Sequence, residues 1–202
     1  MKVIRVGPME IMGLNFNEVF DPIMALAPDP YFNPPPGKEH YRLLSYLSTQ
    51  FENATILDIG TARGHSALAL SFNKTNTIHS FDIINHLLNP LVQSLPNVRY
   101  YLENLWEDAT VAKYIDLIKS SPLIFMDVDP HEGRMELQFY QFLKNIGYQG
   151  ILICDDIHHF EGMRRFWAQI PMEEKYDISR YGHWSGTGLV RFSSNTMFEF
   201  VA

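Results

Sequence analysis

From residue 55 onward, short apolar runs that suit buried strands alternate with longer stretches of helical period, and this alternation leaves few folds open. "TILDIG" (55–60), "TIHSFDI" (77–83), "VRYYLE" (98–103), "LIFMDV" (123–128) and "GILICDD" (150–156) read as strands. Between and after them, "HSALALSF" (65–72), a short piece near 86–94, "WEDATVAKYIDLIKS" (106–120), "MELQFYQFLKNIG" (135–147) and "FEGMRRFWAQI" (160–170) read as helices. In the fourth of these Met135, Phe139, Phe142, Leu143 and Ile146 are expected to face inward, with Gly147 as the stop. Ahead of the first strand, "KEHYRLLSYLSTQF" (38–51) puts Leu43, Leu44, Leu47 and Phe51 on one helical face. The segment "KYDISRYGHWSGTGLVRFS" (175–193) reads as two strands joined by a glycine-containing loop. The expected fold is therefore α/β: a Rossmann-like, doubly wound, mostly parallel seven-stranded sheet with an antiparallel terminal hairpin.

Residues 1–37 stand apart, holding seven of the 12 prolines, including "NPPPG" (33–37), without sustained periodicity. They are expected to form an irregular arm or lid ahead of a main domain spanning 38–202. With 46% hydrophobic and 19% charged residues, the balance is that of a water-soluble globular chain. No apolar run reaches the ~18 residues of a membrane span, and "MKVIRVGPMEIMG" lacks the apolar core of a signal peptide. The single Cys154 cannot form an internal disulfide, so a reducing, cytoplasmic setting is expected. A net charge of −7 gives no phosphate-binding footprint. The expected partner is a small molecule rather than nucleic acid or a membrane, and a homo-oligomer is compatible with the sequence.

Ligands of such sheets bind beyond the carboxyl ends of the strands, and there this sequence gathers its acids: Asp58, Asp82, Glu103, Asp127 and Asp155. "LDIGTARGHSALAL" is a strand, a glycine-rich turn and a helix, in which Gly60 and Gly64 allow backbone angles and close approaches closed to other residues. Its pattern is D-x-G-x-x-x-G, not the G-x-G-x-x-G of dinucleotide binders. It resembles the first motif of class I S-adenosylmethionine-dependent methyltransferases. That resemblance implies a loop of Asp58, Gly60, Thr61, Gly64 and Ser66 cradling the methionine part of the cofactor. It also implies that Asp82 receives both ribose hydroxyls, one on each carboxylate oxygen, and that adenine lies near Asn104 and Leu105.

The fourth and fifth strands end in "MDVDPHEG" and "CDDIHHF", and as neighbours they would converge Asp127, Asp155 and Asp156. Three carboxylates so close cannot all stay ionised without a cation, and a hard divalent ion such as Mg²⁺ answers that need while leaving positions for a substrate. From about Phe51 to Val190 the arrangement resembles the metal-dependent O-methyltransferases of the catechol and caffeoyl-coenzyme A type and, more closely, of the antibiotic-sugar type. The resemblance implies metal ligation by Asp127, Asp155 and Asp156, and a substrate with adjacent oxygens, such as a catechol or a sugar diol. It breaks at Pro130, where catechol-type enzymes carry a lysine. The base is then expected from Asp129 first and His158 second, with His131 a third candidate, while Trp184 or Tyr31 could wall the substrate.

Three other readings compete with this one. His158, His159 and Asp156 supply the ligand types of a non-haem iron site, but adjacent histidines seldom converge on one ion. "NPPPG" lacks the aromatic fourth residue of the amino-methyltransferase motif and precedes strand one rather than ending strand four. A catalytically inactive binding or assembly module on the same fold is the alternative to an enzyme.

Overall fold

The computed structural model describes residues 1–16, 20 and 32–202. Strand β1 (Lys2–Val6) and helix α1 (Pro8–Met12) come first, and helix α2 (Tyr41–Ser48) precedes strand β2 (Thr55–Ile59). Helix α3 (His65–Leu70), strand β3 (Thr77–Asp82), helix α4 (Pro90–Gln93), strand β4 (Val98–Leu102), helix α5 (Asp108–Ser120) and strand β5 (Leu123–Met126) continue the alternation. Then follow helix α6 (Arg134–Asn145), strand β6 (Ile151–Cys154), helix α7 (Glu161–Gln169), and strands β7 (Lys175–Asp177), β8 (Gly188–Arg191) and β9 (Thr196–Phe200).

Seven strands form one sheet in the order β4-β3-β2-β5-β6-β8-β7. The first five are mutually parallel, and β8 runs antiparallel to both β6 and β7. The order of strand addition reverses at β2, which pairs in parallel with β3 on one side and β5 on the other. That is the switch point where a doubly wound sheet opens a crevice.

Alternating side chains build a core on each face. On one, Phe125 and Ile153 pack with Leu43, Leu44, Leu47 and Leu68 of α2 and α3. On the other, Ile124, Met126, Leu152 and Cys154 pack with Phe139 and Leu143 of α6 and Phe166 of α7. Strands buried on both faces must be apolar throughout, which is why β5 and β6 read as unbroken apolar runs.

The structure departs from the sequence reading in three places. The N-terminal segment is not irregular throughout: β1 pairs in parallel with β9, Lys2 opposite Thr196 through Val6 opposite Phe200, as a separate two-stranded sheet. Ile4 and Val6 are fully buried there, but so short an alternation beside a proline carries no signal when its partner lies at the other end of the sequence. The helix near 86–94 contracts to α4, started by Pro90 with Asn89 capping Leu91 N–H. In α6 Glu136 and Tyr140 are buried alongside Phe139 and Leu143, whereas Met135, Phe142 and Ile146 are only half-buried. Among the described residues, no helix is long and apolar enough to cross a membrane.

The switch point is tight. Asp127 N–H donates to Ile59 C=O at 2.9 Å, and a Cβ on Gly60 (φ +97°) would lie 1.7 Å from the Asp127 carbonyl oxygen. Gly60→Ala is therefore expected to cost more than about 2 kcal/mol of unfolding free energy, because neither backbone can yield without breaking the β2–β5 pairing. Urea denaturation monitored by circular dichroism measures this, and a change below about 0.5 kcal/mol would contradict the packing described.

Candidate active site

The loop after β2 is braced from the core. Gly60 and Thr61 N–H groups donate to Phe81 C=O at 2.9 and 3.2 Å. Asp58 is fully buried and accepts the Ser80 hydroxyl at 2.5 Å, while Ser80 lies 2.6 Å from the Thr61 hydroxyl. Burial pushes the Asp58 carboxyl up to about 7, against the opposing pull of hydrogen bonds from Ser80 and Ser66. Gly64, at φ +83°, caps α3, and a Cβ there would meet Val92 and Leu87 at 2.6 and 2.8 Å.

Above this loop a cleft of about 190 Å³ runs across the strand ends, lined among others by Gly60, Asp82, Asn104, Leu105, Asp127 and Asp129. Asp82 is fixed by three backbone donors: Ile83 and Ile84 N–H to Oδ1 at 2.7 and 3.0 Å, and Ala62 N–H to Oδ2 at 2.7 Å. Two carboxylate oxygens offer about four acceptor directions, so one remains for a ligand hydroxyl. Thr61 borders a shallower recess that shares Asp82. Asp58, Gly64 and Ser66 do not line the cleft; their contribution is to hold the loop that does.

Next to Asp127, which lines the cleft, the acids following β5 and β6 meet two histidines the sequence did not single out. His40, the N-cap residue of α2, places Nδ1 3.4 Å from Asp155 Oδ1 and 3.1 Å from Glu39 Oε1. His183 places Nδ1 3.2 Å from Asp155 Oδ2 and 3.6 Å from Asp156 Oδ1. Burial disfavours charge on Asp155, yet the positive charge of His40 and the hydrogen bond from His183 hold it below the usual carboxylate range. Loss of water and then the charge of Asp155 push Asp127 well above that range. Burial opposes protonation of His183, but its bonds to Asp155 and Asp156 lift it to about 10. The His183 imidazolium thus supplies part of the cationic charge that the carboxylates alone lack.

His131 completes the ring from the other side. Its Nε2 is 3.3 Å from Asp129, 3.6 Å from Asp156 and 3.8 Å from Asp127. Both His131 (φ 56°) and Asp156 (φ 59°) adopt left-handed backbone angles, a strain found where side chains must be aimed. His158, by contrast, is drawn away: its Nε2 lies 2.7 Å from Asp177 Oδ2, and none of its ion pairs reaches the acid cluster. Trp184 stands exposed at the rim, its ring 5.6 Å from His183 and 5.4 Å from His159. Tyr31 lies outside the described residues.

Topology would have pointed to His183. Because β8 runs antiparallel to β6, the loop entering β8 must arrive at the carboxyl end of β6, where Asp155 sits. Glu39 and His40 left no such trace, since a polar pair before an amphipathic helix usually signals only a helix start.

No protein-family model matches the chain, and no curated protein matches it in sequence. Solved structures do resemble it. A caffeoyl-CoA O-methyltransferase candidate from Staphylococcus aureus aligns with a TM-score of 0.55 at 14% identity, over 91% of this chain and 95% of its own. SAH-bound methyltransferase PaMTH1 of Podospora anserina gives 0.53 at 15% identity, over 91% and 88%. Cofactor-bound Rv0187 from MTB gives 0.52 at 14%, over 76% and 80%. The fold is that of the class I S-adenosylmethionine-dependent methyltransferases.

Asp58 yields a test of the loop's foundation. Its carboxyl is raised from 3.8 to about 7, so it is neutral in both states below pH 4 and costs nothing there. As pH climbs from about 4 to 7 the unfolded chain ionises first, stability declines, and above 7 the loss is complete. Relative to wild type, Asp58→Asn should gain more than about 1 kcal/mol between pH 4 and pH 8. Denaturant melts of both proteins at the two pH values report it; a difference independent of pH would refute the raised carboxyl.

Proposed function

We propose that the protein is an S-adenosylmethionine-dependent O-methyltransferase acting on a small molecule with adjacent oxygens, aided by a divalent cation at Asp127, Asp155 and Asp156. One observation carries this reading: Asp127 lines the cleft and also belongs to the acid cluster, so a methyl donor and a cation-bound acceptor would meet across one residue. The residues fit the cation, because Asp155 Oδ1 and Asp156 Oδ1 are buried and, among the described residues, accept no hydrogen bond, the nearest imidazole nitrogens lying 3.4 and 3.6 Å away, so each keeps a lone pair for a positive ligand. They fit the cofactor, because the cleft joins an anchored acid, Asp82, to the Asn104–Leu105 turn.

When bound, the cation would lower the pKa of an acceptor hydroxyl and hold its neighbour. The rest falls to the chain. Asp82 would take a ribose hydroxyl, Asn104 and Leu105 would border the base, and the loop at Gly60 would admit the methionine part closely. Asp129 and His131 are placed to take the acceptor's proton: Asp129 is exposed at the cleft, and His131 lies 3.3 Å behind it. His158 drops out of this role because Asp177 holds it. Fixing donor and acceptor in line would supply several kcal/mol of the rate enhancement.

Calorimetric titration with S-adenosylmethionine is the first test: micromolar binding is expected, and its absence would remove the methyltransferase reading. Asp82→Ala should weaken that binding by about 1–3 kcal/mol. Asp155→Asn should bind the cofactor nearly as wild type but lose cation-dependent methyl transfer to a panel of catechols and sugar diols. Full transfer by this variant would separate the cation from the reaction. In the same assay His131→Ala should lower turnover about 100-fold or more, and His158→Ala by less than about threefold. The reverse order would restore His158 as the base.

A further inference from the structure

The acids are not the only groups in this cluster with an unused atom. His40 is 2% exposed, and neither of its ring nitrogens makes a well-directed hydrogen bond. Its ring is wedged between Tyr41 and Phe125, with centroids 4.5 and 5.0 Å away, so it cannot turn to find water. Asp155 divides its labour: Oδ2 faces His183 at 3.2 Å, while Oδ1 is buried 3.4 Å from His40 Nδ1 and, among the described residues, accepts no hydrogen bond. One ligand atom each from His40, Asp127 and Asp155 lie within 4.8 Å of one another. Of the three, Asp127 also lines the cleft, so positions left open on an ion there would face the cofactor.

We propose that His40, Asp127 and Asp155 together hold a first-row divalent transition ion, of the manganese, iron, cobalt or zinc class, in preference to magnesium. This rests on the reading that the acid cluster binds a cation, and it assigns that cation's chemistry and a nitrogen ligand, His40, in the place given above to Asp156, which groups with Asp155 and His183 rather than with Asp127. Magnesium favours an all-oxygen octahedron and rarely gives up water for imidazole. A buried imidazole beside two carboxylates instead favours the later divalent ions, whose affinity for nitrogen donors rises along the series. His183 acts from outside, orienting Asp155 through Oδ2 so that Oδ1 points to the ion.

The test uses the full chain stripped of metal, titrated calorimetrically with Mn²⁺, Co²⁺ and Mg²⁺, with electron spin-echo modulation recorded on the Mn²⁺ form. Mn²⁺ and Co²⁺ should bind at least about tenfold tighter than Mg²⁺. Mn²⁺ should show nitrogen-14 modulation that disappears in His40→Gln and persists in His183→Gln. Equal or tighter Mg²⁺ binding overturns the proposal, as does wild-type Mn²⁺ without nitrogen modulation, which needs no variant to fold. Modulation that survives in His40→Gln removes His40 as the ligand. Absence of any ion binding also overturns it, and cofactor titration of the same sample separates the failures. Retained S-adenosylmethionine binding leaves a cation-free methyltransferase, whereas loss of both removes the proposed function as well.

Discussion

The pairing of β2 with β5 at Gly60 is the constraint on which the site depends. Only a hydrogen fits between that α-carbon and the Asp127 carbonyl. The close approach brings the loop after β2 and the first acid after β5 into one crevice wall. A wider spacing would leave the cleft and the acid cluster as two separate features. Drawn together, they share one residue, Asp127.

Charge is arranged around that wall with equal economy. Five acids (Glu39, Asp127, Asp129, Asp155 and Asp156) face three histidines within hydrogen-bonding or ion-pair distance. The histidines come from three different stretches: the N-cap of α2, the loop after β5 and the loop entering β8. Burial alone would favour the neutral forms of Asp127 and Asp155. His40 and His183 hold Asp155 below the usual carboxylate range instead, and the charge of Asp155 helps to raise Asp127. Polarisation of this kind within a set of like groups prepares one for charge and another for a proton.

Much of the fold was legible because its strands are buried on both faces and so leave unbroken apolar runs, as in "LIFMDV" and "ILICDD". The acids at strand ends were legible for the same reason, since charge closing an apolar run has nowhere else to lie. What escaped was whatever depends on contacts distant in sequence. Strand β1 is meaningless without β9, and His40 is an ordinary helix-start residue until α2 is laid against the sheet. His158 misled in the opposite direction: it sits two residues beyond Asp156, but the turn there swings it onto β7 and Asp177. Proximity in sequence to a strand end places a backbone, not a side chain.

Asp127 has one more consequence. If the proposed function holds, Asp127 would lie between two bound ligands, and whatever factor one imposes on the other's affinity would be returned unchanged. A sulfonium donor and a divalent cation on either side of one carboxylate would repel, and the spent, neutral donor would not. Such a site would hold its cation more firmly after methyl transfer than before, and would therefore release the used cofactor more reluctantly than it accepts the fresh one.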